Sequence, residues 1–272
     1  MADRVLIERD AGVVHVRMNR PDKKNAIDGE MFRGLVAAAR SLEEDASARA
    51  VVLSGAGDCF CAGLDMANFA DMAGGDLNAD RQDVAEAAAD LSPQGANRAQ
   101  QIGWRWQELP IPVIAAVQGA AYGGGVHVAL GADIRFVAPD ARIAFVEISW
   151  GLVPDLSGTQ ALRRLVPLDV AKKLVFTGET ISGKRAVELG LGTELSRNPL
   201  EDAMATARRI AQHSPDAVRA AKKLLNASGL VPVSEGLANE FQASAGLMGG
   251  RNQVEAVMAK LEKREPRFLD PA

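Results

Sequence analysis

Residues 118 to 127 read Gln-Gly-Ala-Ala-Tyr-Gly-Gly-Gly-Val-His and directly follow a continuous apolar run at 113–117. The apolar run predicts a buried strand, and a short buried helix is expected at 126–130. Three consecutive glycines leave backbone N–H groups bare, and a helix start adds the positive end of a dipole. The stretch therefore fits either a site for an anion or developing oxyanion, or a plain tight turn. It matches neither a P-loop nor a spaced dinucleotide fingerprint.

Another loop of small residues follows a short apolar strand, predicted at 50–53. Residues 55–65 of this loop read Gly-Ala-Gly-Asp-Cys-Phe-Cys-Ala-Gly-Leu-Asp. Two such loops, each giving one backbone N–H to the same oxygen, would form an oxyanion hole. Its fixed donors act on charge that appears only in the transition state.

A third stretch places two carboxylates among apolar residues. Residues 145–155 read Phe-Val-Glu-Ile-Ser-Trp-Gly-Leu-Val-Pro-Asp, with Glu147 and Asp155 as the acidic positions. A charge in apolar surroundings is costly unless it is paired or functional. The two carboxylates are therefore either candidates for general acid-base work or an ordinary exposed or salt-bridged pair.

The pattern around these stretches predicts an α/β fold, because strands recur with helical connections. A hairpin is predicted over 5–18, and Asp28 is placed to cap a helix whose apolar face is Met31, Leu35, Ala38 and Leu42. Residues 66–100 are polar, with weak helical patterning from about Ala79, and a mobile segment or lid is expected there. We expect a strand-helix core over 1–195 and a helical C-terminal region over 196–272. Further strands are predicted at 134–137 and 142–145, and helices at 96–109, 159–166, 169–176, 182–189, 200–212, 215–226, 233–247 and 252–264.

Composition restricts the function classes. The 272 residues carry a net charge of -4 and are 47% hydrophobic, which indicates a globular protein and argues against a non-specific nucleic-acid binder. No signal-peptide core or membrane-length apolar run is seen, so no membrane partner is predicted. Cys59 and Cys61 are expected to be free thiols in a reducing cytoplasm. No histidine pair has metal-ligand spacing, so no metal is predicted, and His15 and His213 are expected to be surface or structural residues.

These three stretches, in this order and spacing, resemble the enoyl-CoA hydratase/isomerase (crotonase) superfamily. The resemblance extends over most of 4–195, with weaker matches at 19–26 and 176–191, and the helical tail also fits. It implies a crotonase (ClpP-like) spiral of ββα turns with a helical C-terminal trimerisation region. It further implies a homotrimer or homohexamer, an acyl-CoA substrate, and no cofactor apart from the coenzyme A of the substrate thioester.

The resemblance also implies roles for individual residues. The N–H groups of Leu64 and Gly124 would form the oxyanion hole around the thioester carbonyl, and Glu147 matches the acid-base glutamate of the family. Stabilising the carbonyl oxygen makes the neighbouring carbon acidic, so a nearby carboxylate can move its protons. The residues that would contact coenzyme A are Arg20, Lys23, Lys24, Ala62 and Asp65.

The exact reaction depends on where this sequence departs from the family. Hydratases carry a second glutamate where this chain has His127, 20 positions before Glu147 (147 − 127). Dienoyl-CoA isomerases carry an aspartate at that position, the glutamate, and a further aspartate that matches Asp155, eight positions after Glu147 (155 − 147). Monoenoyl isomerases need essentially the one glutamate. The favoured reaction is therefore double-bond isomerisation, with Asp155 or His127 handling the second proton.

Two other functions and two roles for His127 remain open at this level. One other function is that of a 2-enoyl-CoA hydratase that uses Glu147 with Asp155 or His127. The second is that of a non-catalytic CoA-thioester-binding protein with the same fold. His127 is either a proton shuttle or hydrogen-bond donor, or a ring that fills space in its helix and binds a backbone carbonyl. A serine hydrolase is disfavoured because the chain has no Gly-x-Ser-x-Gly elbow.

Overall fold

A computed structural model describes residues 3–65 and 90–271 of the chain. The expected mobile segment or lid falls mainly on residues 66–89, which lie outside the described residues. The strands are β1 Val5–Asp10, β2 Val13–Met18, β3 Ala50–Gly55, β4 Val113–Val117, β5 Ala120–Tyr122, β6 Ile134–Val137, β7 Arg142–Ala144, β8 Ile181–Ser182 and β9 Glu194–Leu195.

Helices connect and follow these strands. They are α1 Gly29–Glu43, α2 Gln101–Glu108, α3 Gly124–Leu130, α4 Gly158–Leu165, α5 Leu168–Thr177, α6 Gly183–Leu189, α7 Pro199–Ala211, α8 Pro215–Ala227, α9 Val233–Leu247 and α10 Arg251–Glu262. Short 3-10 helices occupy Pro21–Lys23 and Glu147–Trp150. No helix among the described residues is long and apolar enough to cross a membrane.

The strands form two sheets. The larger has the order β1-β2-β3-β4-β6-β9, and the smaller has the order β5-β7-β8. β1 and β2 form the predicted antiparallel hairpin, and the larger sheet is parallel from β2 onward. β4 continues into β5, and β6 into β7, so the chain passes from the larger sheet to the smaller before it enters a helix. This arrangement confirms the predicted α/β spiral of ββα turns.

The larger sheet is the centre of the hydrophobic core, and β3 and β4 are buried along their whole length. Helix α1 covers one side with the predicted face of Met31, Leu35, Ala38 and Leu42, all of which are buried. Its N-terminus is capped by Asp28, whose carboxylate accepts the Met31 N–H at 2.8 Å. The other side of the sheet is covered by α7, through Ala203 and Ala207 among others.

The predicted helix at 96–109 begins five residues late, at Gln101. Asn97 and Gln100 mark the beginning of this helix, because each side chain accepts the backbone N–H of the other at 3.0 Å. This reciprocal pairing is a capping box, which satisfies backbone N–H groups at a helix N-terminus. The strands β5, β8 and β9 were not expected, since two or three residues are too few to show alternation. The predicted helices of the C-terminal region are all present, with ends shifted by at most two residues.

His15, predicted to be a surface or structural residue, is structural. It lies on β2, is 7% exposed, and its Nε2 lies 2.7 Å from the Ser54 hydroxyl on β3. Burial lowers the pKa of His15 below its ordinary 6.5, and the nearby Glu8 carboxylate opposes that shift more weakly. The ring is therefore held neutral in the folded protein.

We expect His15 to make the folded state less stable in mild acid. Below the ordinary pKa of 6.5 the unfolded chain binds a proton that the folded ring resists, so the free energy of unfolding falls as pH falls through this range. Urea titrations between about pH 8 and about pH 5.5 should show a shallower dependence in His15→Gln than in the wild type. The exposed His213→Gln serves as the control and should keep the wild-type dependence. Equal slopes in all three proteins would contradict this role for His15.

Candidate active site

The two glycine-containing loops, the first at 55–65 and the second at 118–127, run side by side and in parallel. Cys61 N–H donates to Ala120 O at 2.9 Å, and Tyr122 N–H donates to Cys61 O at 3.1 Å, so Cys61 forms a parallel bridge with Ala121. Both segments then advance in the same direction. Leu64 and Gly124 each lie three residues beyond this bridge, on the two adjoining segments.

The backbone of Leu64 is oriented by Ile27. Ile27 N–H donates to Gly63 O at 2.8 Å, and Asp65 N–H donates to Ile27 O at 3.0 Å. In a parallel bridge of this kind the N–H of the central residue, Leu64, is directed away from the partner strand. Ile27 also touches the second loop, since a Cβ on Gly124 would lie 3.1 Å from its Cδ1 atom.

Both predicted oxyanion donors lack a partner within the described part of the chain. Gly124 is the first residue of α3, so its N–H has no acceptor one turn earlier in the helix. Across residues 3–65 and 90–271, neither the Leu64 N–H nor the Gly124 N–H donates a hydrogen bond. Two unpaired amides on adjoining loops meet the basic requirement for holding one oxygen.

Close backbone approach explains why glycine is needed where the loops meet. Gly63 has a φ of +92°, and a Cβ there would lie 2.7 Å from Tyr122 O. A Cβ on Gly125 would lie 2.4 Å from Cys61 O. Any side chain at either position would push the two loops apart.

Asn25 is an organising residue that sequence reasoning did not single out. It is fully buried and has a φ of +55°. Its amide nitrogen donates to Ala56 O at 2.9 Å and to Cys59 O at 2.7 Å, while its amide oxygen accepts the Arg20 N–H at 2.8 Å. Asn25 therefore fixes the start of the first loop. The available signal was its place in the weaker match at 19–26.

Glu147 and His127 meet beside the glycine loop. Glu147 begins a 3-10 helix, and its side chain is 11% exposed. Its Oε1 lies 3.0 Å from Nε2 of His127, and a Cβ on Gly123 would lie 3.4 Å from the same oxygen. The structure thus brings together the predicted Glu147, His127 and Gly124.

His127 is held from its other side by α4. Its side chain is fully buried, and its Nδ1 accepts the Gly158 N–H at 3.2 Å. A Cβ on Gly158 would lie 2.8 Å from the ring, which explains the glycine there. The predicted alternative of a ring bound to a backbone carbonyl is not what the structure shows, because the bonded backbone group is an N–H.

Asp155, the second predicted carboxylate, is exposed. It lines a cavity of about 360 Å³ together with Trp104, Ser157 and Gln160. Among the described residues, no hydrogen bond or ion pair connects Asp155 with Glu147 or His127. Its catalytic role stays a prediction.

The residues predicted to contact coenzyme A lie around the first loop. Arg20 is 13% exposed and forms an ion pair with Asp65, so it ties the two segments together. Lys23 and Lys24 are exposed. Lys24 O accepts the Ala62 N–H at 3.0 Å, which fixes this basic turn against the loop. The structure therefore gathers the predicted residues, and their contact with coenzyme A stays a prediction.

The two cysteines are free and buried, as predicted. Burial raises the pKa of Cys61 to about 12 and also raises that of Cys59. Both are thus thiols, not thiolates, at neutral pH. Within residues 3–65 and 90–271 no cluster of His, Cys, Asp or Glu is suited to hold a metal ion.

A spiral of ββα turns with two adjoining glycine loops defines the crotonase fold. The sequence profile of the family described as Enoyl-CoA hydratase/isomerase matches residues 8–271. The chain belongs to the enoyl-CoA hydratase/isomerase family, whose enzymes act on acyl-CoA substrates.

Individual relatives agree with this membership. The chain is 33% identical over 247 residues to a probable enoyl-CoA hydratase of Bacillus subtilis, covering 90% of each protein. It is 33% identical over 266 residues to the 2,3-dehydroadipyl-CoA hydratase of Escherichia coli, covering 97% of this chain and 98% of the relative. The crystal structure of an enoyl-CoA hydratase from Bacillus anthracis superimposes with a TM-score of 0.85 at 31% identity, covering 97% of this chain and 98% of that one.

Proposed function

We propose that the protein shifts the double bond of an unsaturated acyl-CoA, with Glu147 as the group that moves the proton. The observation that supports this most strongly is the state of the Glu147 carboxylate. Its Oε1 faces His127, whereas its Oε2 is buried without a hydrogen-bond partner among the described residues. A buried, unpaired carboxylate oxygen is costly unless it has a function.

In the proposed mechanism the thioester oxygen accepts hydrogen bonds from the Leu64 and Gly124 N–H groups. Glu147 takes a proton from C2 of a 3-enoyl-CoA, and the electron pair moves onto the thioester oxygen to give a dienolate. The same carboxyl group returns the proton at C4, the C2–C3 double bond forms, and the oxygen regains its carbonyl character. Coenzyme A takes part only as a portion of the substrate, and no other cofactor is required.

One carboxylate is sufficient for this scheme. From the sequence, Asp155 or His127 was expected to carry out the second proton transfer. Asp155 is exposed, and among the described residues no hydrogen bond or ion pair joins it to Glu147, while the His127 ring is already bonded at Nδ1. A carboxylate that serves both carbons in turn needs neither residue as a proton carrier.

Hydration of a 2-enoyl-CoA is the second candidate. The hydratase names of the relatives favour it, and the overall similarity to them is substantial. It would require Asp155 or His127 to hold and activate water with Glu147. The replacement of the second glutamate of the family by His127 weighs against it.

A panel of 3-enoyl-, dienoyl- and 2-enoyl-CoA substrates separates the candidates. Isomerisation predicts products from the first two that keep the mass of the substrate and carry a shifted double bond. A 3-hydroxyacyl product that is heavier by one water would instead support hydration. Thioester binding without conversion of any substrate in the panel would indicate a non-catalytic binding protein and would refute both enzymatic schemes.

We further propose a homotrimer or homohexamer located in the cytoplasm. The C-terminal helices carry large apolar side chains that are exposed in the single chain, among them Leu237, Phe241, Met248 and Leu261. Burial of such side chains between subunits is a common reason for their presence. The two free thiols suit a reducing compartment. The overall negative charge gives no support for a nucleic-acid partner, and none is proposed.

A further inference from the structure

His127 has a defined arrangement of hydrogen-bonding groups. The Gly158 N–H is a donor and points at Nδ1, so Nδ1 must be the unprotonated nitrogen of the ring. In the neutral ring the proton is then on Nε2, which lies 3.0 Å from Glu147 Oε1. A backbone N–H on α4 therefore decides which ring nitrogen faces the carboxylate.

The same bond limits what His127 can do. A second proton would have to be added at Nδ1, where it would meet the Gly158 N–H head-on. The side chain is also fully buried, so no water can replace the lost contact without movement of α3 or α4. These constraints oppose a role as a proton carrier and favour a role as a fixed donor.

We propose that His127 is a positioning residue that holds Glu147 Oε1 through its Nε2–H, leaving Oε2 as the oxygen that moves the substrate proton. This inference deepens the proposed function and rests on it. It assigns different tasks to the two oxygens of one carboxylate. Among the described residues Oε2 has no protein partner.

The contact with Oε1 is short but bent, and Nε2 has no well-aligned hydrogen bond among the described residues. Catalytic hydrogen bonds often become aligned only when substrate is bound. A rotation of the carboxylate that aligned Oε1 with the Nε2–H would satisfy this donor and leave Oε2 free for the substrate. His127 therefore acts on the orientation of Glu147 and not on the substrate itself.

The tautomer can be measured directly on the wild-type protein. In ¹⁵N-histidine-labelled protein, two-bond ¹H–¹⁵N spectra should show His127 protonated at Nε2 and bare at Nδ1. A proton on Nδ1, or on both nitrogens at neutral pH, would overturn the proposal. No substitution is involved, so folding of a variant cannot confuse the result.

Substitutions provide the functional test. In His127→Leu we expect kcat to fall about 100-fold with KM within about threefold, because Glu147 loses its orientation. His127→Gln should restore kcat to within about tenfold of the wild type, since its amide N–H can donate to Glu147 and its oxygen can accept from Gly158. His213→Gln, the same change at an exposed site, should have the wild-type rate. The pH profile of kcat should keep its shape in His127→Gln.

The outcomes separate this inference from the function on which it rests. If His127→Gln is as slow as His127→Leu, or if one limb of the pH profile disappears in His127→Gln, then His127 carries protons and the proposal is wrong. If His127→Leu is fully active while Glu147→Gln is inactive, only the positioning role fails. If Glu147→Gln is itself fully active, the proposed function fails first.

Discussion

Replacing Glu147 by glutamine is expected to lower kcat by about 10³- to 10⁴-fold while acyl-CoA binding persists. Glutamine has nearly the same shape and can still face His127, but it has no basic oxygen with which to take a proton. The loss should therefore appear in kcat with little change in KM. Single-turnover assays with a 3-enoyl-CoA, which follow the shift of the double bond directly, should show it.

The control for this variant is Glu194→Gln, which makes the same change on the exposed edge strand β9. It should match the wild type in rate and in thermal unfolding. Binding of a saturated acyl-CoA, followed by calorimetry, should be similar in both variants and the wild type. Full activity of Glu147→Gln would remove Glu147 from the mechanism, and with it the proposed isomerisation.

The long helices and strands were predictable from the sequence because the spacing of their apolar residues matches the face that is buried in the folded protein. The face of Met31, Leu35, Ala38 and Leu42 and the cap at Asp28 follow from helix spacing and local hydrogen bonding. The apolar strand at 113–117 is likewise present with the predicted ends. The strands β5, β8 and β9 depend on tertiary pairing, which leaves no periodic signal in two or three residues.

The site was predictable in its residues but not in its contacts. Glycine loops and carboxylates in an apolar segment marked the three stretches, and within them the resemblance to the family singled out Glu147, His127, Leu64 and Gly124, whose roles stay predictions. The contact between Glu147 and His127 depends on how the segment after β7 packs against α3, and on the bond from the Gly158 N–H to the His127 ring. The spacing of residues in the sequence predicts neither of these contacts. Asp155 shows the converse, since its family-like spacing from Glu147 gives no hydrogen bond or ion pair between the two carboxylates among the described residues.

The second large effect is expected from Gly63→Ala, which tests the oxyanion hole through the backbone. Gly63 directly precedes Leu64, and an added Cβ would lie 2.7 Å from Tyr122 O on the neighbouring loop. The loops must separate, so the Leu64 N–H moves away from the oxygen that the Gly124 N–H still contacts. Losing one such donor costs roughly 3–4 kcal/mol of transition-state stabilisation, or about 10²- to 10³-fold in kcat.

The control must carry the same backbone penalty without the collision. Gly229 has a φ of +76°, close to the +92° of Gly63, and an added Cβ there meets nothing within 4 Å. Gly229→Ala should therefore lose only about 1 kcal/mol of stability, the cost of a left-handed alanine, and keep its rate. If Gly63→Ala loses as much stability as Gly229→Ala and retains the wild-type kcat, the Leu64 amide does not hold the thioester oxygen. A loss of kcat confined to Gly63→Ala ties the rate to the separation of the two loops, because backbone strain is common to both variants.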